Sequence, residues 1–280
     1  MATDLPLAPG ANLPKLGIIA GRGALPGLLI SACKASGRAH HVLGLTGFAD
    51  TATLPVDTWL KITDVGKAFA ALKSSDCKEI VLAGGVRRPN ISELRFDLKG
   101  AGFFARIAGR ALGDDGLLSA VIAEIEREGF KVVGADSILT HLLAPSGVLG
   151  RHQPDDDALT DMARGFEVAR ILGAADVGQA VVVQQGIVLG VEAAEGTDAL
   201  LARCRDLKMD APGGVLVKAK KPEQERRADL PTVGVTTVHN AHAAGLRGIA
   251  VEAGHTLMIG LDDIIAAADQ LGLFVVGKAQ

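Results

Sequence analysis

Short aliphatic runs alternate with helical stretches along most of the chain, and this alternation constrains the fold more than any other feature. Apolar runs that we predict to be strands lie in the first half at 16–20, 41–45, 79–83 and 131–133. Helical patterns separate them at about 25–35, 65–72, 100–112 and 115–127. Strand–helix alternation of this kind predicts an α/β fold with a parallel, doubly wound, Rossmann-like sheet.

The second half of the chain continues the alternation with a different order of elements. A long helix is expected over 158–172, and apolar runs follow at 180–183, 187–191, 216–219, 248–251 and 273–276. Residues 145–157 include two prolines and three successive aspartates, a composition typical of a linker. We therefore predict two domains: an N-terminal Rossmann-like domain over 1–144, a linker over 145–157, and a second α/β domain over 158–280.

The composition narrows the classes of fold and partner. Glycine accounts for 35 of the 280 residues and aromatic residues for 3 %, so the core must be built from Ala, Val, Ile and Leu. Frequent glycine suits many tight turns between strands and helices and argues against a β-sandwich with an aromatic core. The net charge of −3 provides no broad basic surface, so nucleic acid is not an expected partner.

The cysteines and the distribution of apolar residues indicate a cytoplasmic protein. The three cysteines are too far apart for a disulfide framework or a zinc site, which suits a reducing compartment. The apolar runs are short and interrupted, so no transmembrane helix is expected. Residues 1–14 lack the basic start and apolar stretch of a signal peptide. Peripheral contact with a membrane stays open.

A glycine-rich turn, GRGALPG at 21–27, follows the first predicted strand and opens a helix. Gly21 and Gly23 would let the backbone approach a phosphate, and the helix start at Ala24 and Leu25 would offer it N–H groups. Proline stands at 26, where a dinucleotide fingerprint has its third glycine, and no acidic residue ends the second strand. Both departures weigh against an NAD-dependent oxidoreductase. The alternative to a phosphate turn is an ordinary tight strand–helix connection.

A second candidate turn, GGVRRPN at 84–90, follows the third predicted strand. Open α/β sheets bind ligands at the carboxyl ends of their strands, and arginine can fork a phosphate. Gly84, Gly85 and Arg87 are therefore candidate phosphate-binding residues. The alternative is a solvated basic turn, and the position favours a function.

Acidic residues cluster between a predicted strand and a helix, at Glu192, Glu195 and Asp198. Together with Gly196 and Thr197 they could hold Mg²⁺ or form hydrogen bonds with sugar hydroxyls. The alternative is that Thr197 is the N-cap of the helix and Asp198 favours its dipole.

The densest charged segment is 218–231, with five cations and three carboxylates. Cations neutralise phosphoryl oxygens, and a carboxylate can position a water molecule or a metal ion. The alternative is a solvated loop of exchanging ion pairs. The strand that precedes the segment and the Leu-Pro pair that ends it favour a loop that forms a site.

Six segments together, in this order, resemble the LpxI-type UDP-2,3-diacylglucosamine pyrophosphatases of lipid A biosynthesis. They are 21–27, 84–90, 176–183, 191–203, 215–234 and 273–277. Each segment alone is a weak signal. Their shared order over 16–277 makes the resemblance specific.

The resemblance implies hydrolysis of the diphosphate of UDP-2,3-diacylglucosamine to UMP and 2,3-diacylglucosamine 1-phosphate (lipid X), with Mg²⁺ or another divalent cation. It implies a catalytic C-terminal domain and a lipid product held between the two domains. It also implies a cytoplasmic protein that meets its lipid-linked sugar nucleotide at the inner face of the inner membrane, and it is compatible with a homodimer. The alternative on the same scaffold is a non-catalytic regulator that binds a sugar nucleotide.

The family's Gln-Asp-x-Arg-x-Asp-x-Pro stretch falls on 224–231. The resemblance implies that Asp229 is the carboxylate essential for hydrolysis. Glu225 stands where the family usually has Asp and is the second choice, and Lys218 is the third predicted catalytic residue. The predicted substrate-binding residues are Gly21, Gly23, Ala24, Leu25, Gly84, Gly85, Arg87, Gln179, Glu195, Gly196, Thr197, Asp198 and Arg226.

Overall fold

The structure of the protein is a computed structural model that describes residues 13–86, 98–108, 113–210, 212–222, 225–227 and 230–279. The chain divides into two compact units. Unit 1 comprises Met1–Leu139 and Glu225–Ala228, and unit 2 comprises Thr140–Gln224 and Asp229–Gln280.

Unit 1 contains a five-stranded parallel sheet. Its strands are β1 (Leu16–Ala20), β2 (His40–Leu45), β3 (Thr58–Leu60), β4 (Glu79–Ala83) and β5 (Lys131–Val132). They are arranged in the order β3-β2-β1-β4-β5, so the strand order reverses between β1 and β4. This order confirms the predicted Rossmann-like sheet and places its switch point beside the glycine-rich turn.

The described part of unit 1 also contains four helices and a short 3₁₀ turn. The helices are α1 (Leu25–Ser36), α2 (Val65–Ser74), α3 (Leu98–Ala108) and α4 (Gly113–Arg127), and the turn is Ala135–Ser137. Phe103 of α3 packs against Phe69 of α2, with ring centroids 6.3 Å apart, and Phe69 stacks on Phe130. These three aromatic side chains belong to the apolar core of unit 1 and help to join its helices to the sheet.

Unit 2 contains a six-stranded mixed sheet. The strands of unit 2 are β6 (Gly147–Leu149), β7 (Ala180–Gln184), β8 (Ile187–Val191), β9 (Val215–Lys218), β10 (Thr232–Gly234), β11 (Gly248–Glu252), β12 (Leu257–Ile259) and β13 (Phe274–Lys278). The sheet order is β6-β13-β11-β9-β7-β8, with β9, β11 and β13 parallel and the outer strands antiparallel. Strands β10 and β12 form a separate parallel pair.

The helices of unit 2 cover both faces of its sheet. They are α5 (Asp156–Ala174), α6 (Thr197–Cys204), α7 (Val235–Ala243) and α8 (Leu261–Leu271). One apolar core forms between the sheet and α5, and a second forms between the opposite face and the other three helices. Because both faces are covered, the strands read as continuous apolar runs. Among the described residues, no helix is both long and apolar enough to cross a membrane.

The predicted linker, 145–157, is structured and packs within unit 2. Strand β6 pairs antiparallel with β13 at the edge of the sheet. The Asp155 side chain caps α5 by accepting a hydrogen bond from the N–H of Ala158 at 2.8 Å. The prolines and aspartates that indicate a linker therefore accompany a short edge strand and a helix cap.

Candidate functional site

The two glycine turns of unit 1 meet at the switch point of its sheet. The N–H of Gly21 donates to the carbonyl of Ala83 at 2.7 Å, and Arg22 and Gly85 exchange backbone hydrogen bonds of 2.9 and 3.0 Å. A Cβ atom at Gly21 would lie 2.7 Å from the carbonyl oxygen of Gly85, and one at Gly84 would overlap the carbonyl oxygen of Arg22. Glycine at both positions lets the turns approach each other.

Helix α1 begins directly after this contact, with Ala24 as its N-cap and Leu25 as its first residue. No side chain caps it, and Pro26 occupies its first turn. Gly23 has a φ of +93°, which turns the chain from β1 into the helix. Backbone N–H groups at such a helix start attract anions, so the arrangement can bind a phosphate.

In unit 2, Lys218 lies at the end of β9 and its ammonium group is buried in a polar cluster. Its Nζ donates to the Thr197 hydroxyl at 3.0 Å and to the carbonyl of Thr232 at 2.9 Å. The Thr197 hydroxyl donates to Oε1 of Glu192 at 2.6 Å, and the N–H of Gln179 donates to Oε2 at 3.1 Å. Lys218 is 5 % exposed and Glu192 is 7 % exposed. The structure thus joins three predicted residues in one chain of hydrogen bonds: Lys218 binds Thr197, and Thr197 and the backbone of Gln179 both bind Glu192.

The alternative interpretation of Thr197 as a helix cap is wrong. Helix α6 begins at Thr197, its N-cap is Gly196 with a φ of +81°, and no side chain caps it. The Thr197 hydroxyl instead bridges Glu192 and Lys218. Glu192 belongs to the acidic cluster that the sequence shows, but its contact with Lys218 through Thr197 depends on the sheet.

The other two acidic residues of that cluster have different partners. The Glu195 carboxylate accepts hydrogen bonds from the N–H of Ala193 at 3.2 Å and from Arg203 at 2.9 Å. Hydrogen bonds from its own backbone N–H and from Arg203 lower the pKa of Glu195. Asp198 accepts from the amide of Asn240 at 2.9 Å. No group of three or more His, Cys, Asp or Glu side chains that could hold a metal ion occurs among the described residues.

Glu225 is held by Arg227 in a compact pair. The guanidinium donates to both carboxylate oxygens at 2.9 and 2.8 Å, and the N–H of Arg227 donates to Oε1 at 3.2 Å. These hydrogen bonds lower the pKa of Glu225 and raise the pKa of Arg227. The predicted catalytic carboxylate is therefore ionised with both oxygens engaged, an arrangement suited to holding Arg227.

Arg226 donates from Nε to Asp136 at 2.6 Å. Asp229 and Arg87 lie outside the described residues.

Glu252, at the end of β11, is a residue that the sequence patterns did not single out. It is 4 % exposed, and Oε2 accepts from the N–H of Lys220 at 2.8 Å. Its Oε1 is buried without a hydrogen-bond partner in the described part of the chain. A buried carboxylate oxygen without a partner carries a desolvation cost. The available signal was an acidic residue that ends an otherwise apolar strand.

Comparison with known proteins covers both halves of the chain. Residues 15–142 match the LpxI N-terminal domain, and residues 145–276 match the LpxI C-terminal domain. The chain is 45 % identical over 274 residues to the UDP-2,3-diacylglucosamine pyrophosphatase LpxI of Caulobacter vibrioides. That similarity covers 94 % of this chain and 97 % of the relative.

Proposed function

This chain belongs to the LpxI family, and we propose that it hydrolyses the diphosphate of UDP-2,3-diacylglucosamine in lipid A biosynthesis. The products would be UMP and 2,3-diacylglucosamine 1-phosphate. The observation that carries the proposal is the match through both domains to a relative whose name states this activity.

Each unit, taken by itself, contains an arrangement that suits a phosphate group. In unit 1, the paired turns at Gly21 and Gly84 and the start of α1 offer backbone N–H groups to phosphate oxygens. In unit 2, the Lys218 ammonium is fixed by Thr197 and the carbonyl of Thr232, so it is oriented before substrate arrives. Preoriented donors act on charge in the transition state without a reorganisation cost.

The hydrolysis step needs a nucleophilic water and charge neutralisation on the diphosphate. We assign Asp229 to orient the water or a cation, because it matches the essential Asp implied by the family's stretch. We assign Lys218 to neutralise phosphoryl charge. Asp136 binds Arg226, and Arg227 binds Glu225. We therefore propose that Arg226 and Glu225 act in substrate binding and catalysis by fixing the segment that contains them.

We propose that a divalent cation takes part, in the form that Mg²⁺ usually takes with phosphates. Mg²⁺ is commonly held by one or two carboxylates and by the substrate's phosphates, not by a complete protein cage. The buried, unpartnered Oε1 of Glu252 is the donor that the described residues offer. We assign Asp229 to the cation from the family's stretch alone. When bound, the cation would neutralise charge on the diphosphate and act as a Lewis acid.

Removal of divalent cations tests this assignment. Dialysis against EDTA is expected to abolish most UMP release, because the diphosphate charge is then opposed by side chains alone. Addition of Mg²⁺ in excess of the chelator should restore it, and the unfolding midpoint measured in parallel controls for denaturation. Undiminished turnover after thorough chelation would contradict the cation requirement.

The proposed function is tested with purified protein and UDP-2,3-diacylglucosamine in sedimenting phospholipid vesicles. We expect stoichiometric UMP in the supernatant and 2,3-diacylglucosamine 1-phosphate in the lipid fraction, both identified by mass spectrometry. In ¹⁸O-water, the label identifies the phosphorus that is attacked. A protein that binds this substrate but releases no UMP would instead be the non-catalytic regulator.

The lipid-linked substrate also implies where the protein acts. We propose peripheral contact with the inner face of the inner membrane, because the acyl chains keep the substrate in the bilayer. The vesicle assay reports this directly, since the protein should sediment with vesicles that carry the substrate. Protein that hydrolyses the substrate yet stays in the supernatant would limit the contact to catalytic encounters.

A further inference from the structure

The described segment 225–227 packs with unit 1, although the chain before and after it belongs to unit 2. Side chains from two described elements of unit 1 bind this segment. Asp136, in the 3₁₀ turn that follows β5, binds Arg226, and Glu126 of α4 binds Arg227. The segment contains part of the stretch that the family resemblance marks as catalytic, so what fixes it bears on the reaction.

The Asp136 carboxylate is buried, and the segment lies closely against it. Asp136 is 8 % exposed, and its Oδ2 accepts from Nε of Arg226 at 2.6 Å. A side chain at Gly134 would overlap Oδ1 of Asp136 and lie 3.4 Å from the carbonyl oxygen of Arg226. Glycine at this position therefore lets the carboxylate and the segment lie against each other. The Arg226 side chain is 42 % exposed, so only the carboxylate side of the pair is buried. A buried carboxylate is costly to leave without its cationic partner.

The contact with Glu126 differs in that its carboxylate is exposed. The Arg227 and Glu126 side chains are each 38 % exposed, although their atoms are 2.6 Å apart. Exposed ion pairs contribute little because water screens them. The Glu225–Arg227 pair lies within the segment and stiffens it without attaching it to the rest of unit 1. Asp136 is thus the more deeply buried of the two carboxylates that bind the segment in the described part of unit 1.

We propose that Asp136 is a positioning residue for diphosphate hydrolysis, acting through Arg226 on the segment 225–227. The inference rests on the proposed function. Asp229 follows Arg227 by two residues in the sequence, so the chain connects it closely to the segment that Asp136 holds. Asp136 contacts Arg226 and acts through it, without touching the reacting atoms. Its removal should lower the rate of the chemical step more than it weakens substrate binding.

The kinetic test compares Asp136→Asn with Glu79→Gln in the full-length protein. Glu79 binds Arg38 at 2.6 Å in the same unit. It lies at the amino-terminal end of β4, whereas Asp136 follows the carboxyl-terminal end of β5. Both changes remove one carboxylate charge from an arginine at nearly constant volume. We expect Asp136→Asn to lower kcat for UMP release by about 10²-fold with KM little changed, because small misplacement of reacting groups is costly. Glu79→Gln should leave kcat unchanged.

Limited trypsin digestion supplies a readout that does not depend on activity. Trypsin cleaves after Arg226 or Arg227 only when that backbone can leave its attachment. Cleavage at these two sites, mapped by mass spectrometry, should be faster in Asp136→Asn than in wild type and unchanged in Glu79→Gln. Unfolding midpoints of both variants separate local release from global destabilisation.

The outcomes separate this proposal from the proposed function. Wild-type protein that releases no UMP overturns the proposed function and this inference with it. Wild-type activity with an unchanged kcat in Asp136→Asn overturns this inference alone, as does an equal loss of kcat in Glu79→Gln. If Asp136→Asn does not fold, Asp136→Glu keeps the charge and displaces the segment by one methylene. It should then fold and show the same selective loss of kcat, and wild-type kinetics would again overturn the inference.

Discussion

Asp229→Ala is expected to lower turnover of UDP-2,3-diacylglucosamine by roughly 10²–10⁴-fold while leaving the protein folded. The physical reason is that the carboxylate orients the attacking water or the cation, and alanine can do neither. On the proposed assignment, substrate binding relies on cations and backbone N–H groups elsewhere, so it should persist. Initial rates of UMP release measure the first effect, and the lipid that copurifies with the variant reports the second.

Asp206→Ala is the matched control for this variant. Asp206 lies in the 3₁₀ turn Arg205–Leu207, and its side chain is 78 % exposed. Removing it changes the net charge by the same amount, and we expect wild-type rates. Full activity in Asp229→Ala would reject the assignment of this carboxylate. Equal losses in both variants would point to a general charge effect.

The long strands could be predicted from the sequence because their apolar runs are continuous. Strand β1 is predicted at its observed bounds, and the runs at 180–183 and 187–191 lie within β7 and β8. The three-residue strands β3, β6, β10 and β12 could not be predicted in this way. Such short segments carry too little pattern, and their pairing is set by neighbouring strands that are distant in sequence.

The candidate site could be predicted in its residue types but not in its pairings. Lys218 and Thr197 are 21 residues apart, and they meet because β9 ends where α6 begins. Glu225 has a carboxylate suited to catalysis in sequence, yet Arg227 occupies both of its oxygens. Glu252 shows no motif at all. In each case the partner comes from the fold or from side-chain geometry, which spacing does not specify.

Lys218→Met is expected to lower kcat/KM by about 10²–10³-fold, because removal of one fixed donor at a developing charge typically slows an enzyme by this factor. Methionine fills the buried space of the lysine stem but removes the ammonium group. The carbonyl of Thr232 then loses the donor at 2.9 Å, which should cost about 1–3 kcal/mol of stability. The Thr197 hydroxyl keeps its hydrogen bond to Glu192, so the rest of the cluster has a reason to persist.

The measurement must separate lost catalysis from lost stability, because Lys218 serves both. Denaturant unfolding gives the folded fraction of Lys218→Met at the assay temperature, and rates are corrected by it. Lys208→Met, at an exposed lysine of the same unit, is the control for loss of one positive charge and should retain wild-type kinetics. Thr197→Val removes one hydrogen-bond acceptor of the Lys218 ammonium and keeps its charge, so kcat/KM should fall less than in Lys218→Met. If Lys218→Met, fully folded, hydrolyses the substrate at the wild-type rate, the buried ammonium is a structural cation and the diphosphate charge is neutralised elsewhere.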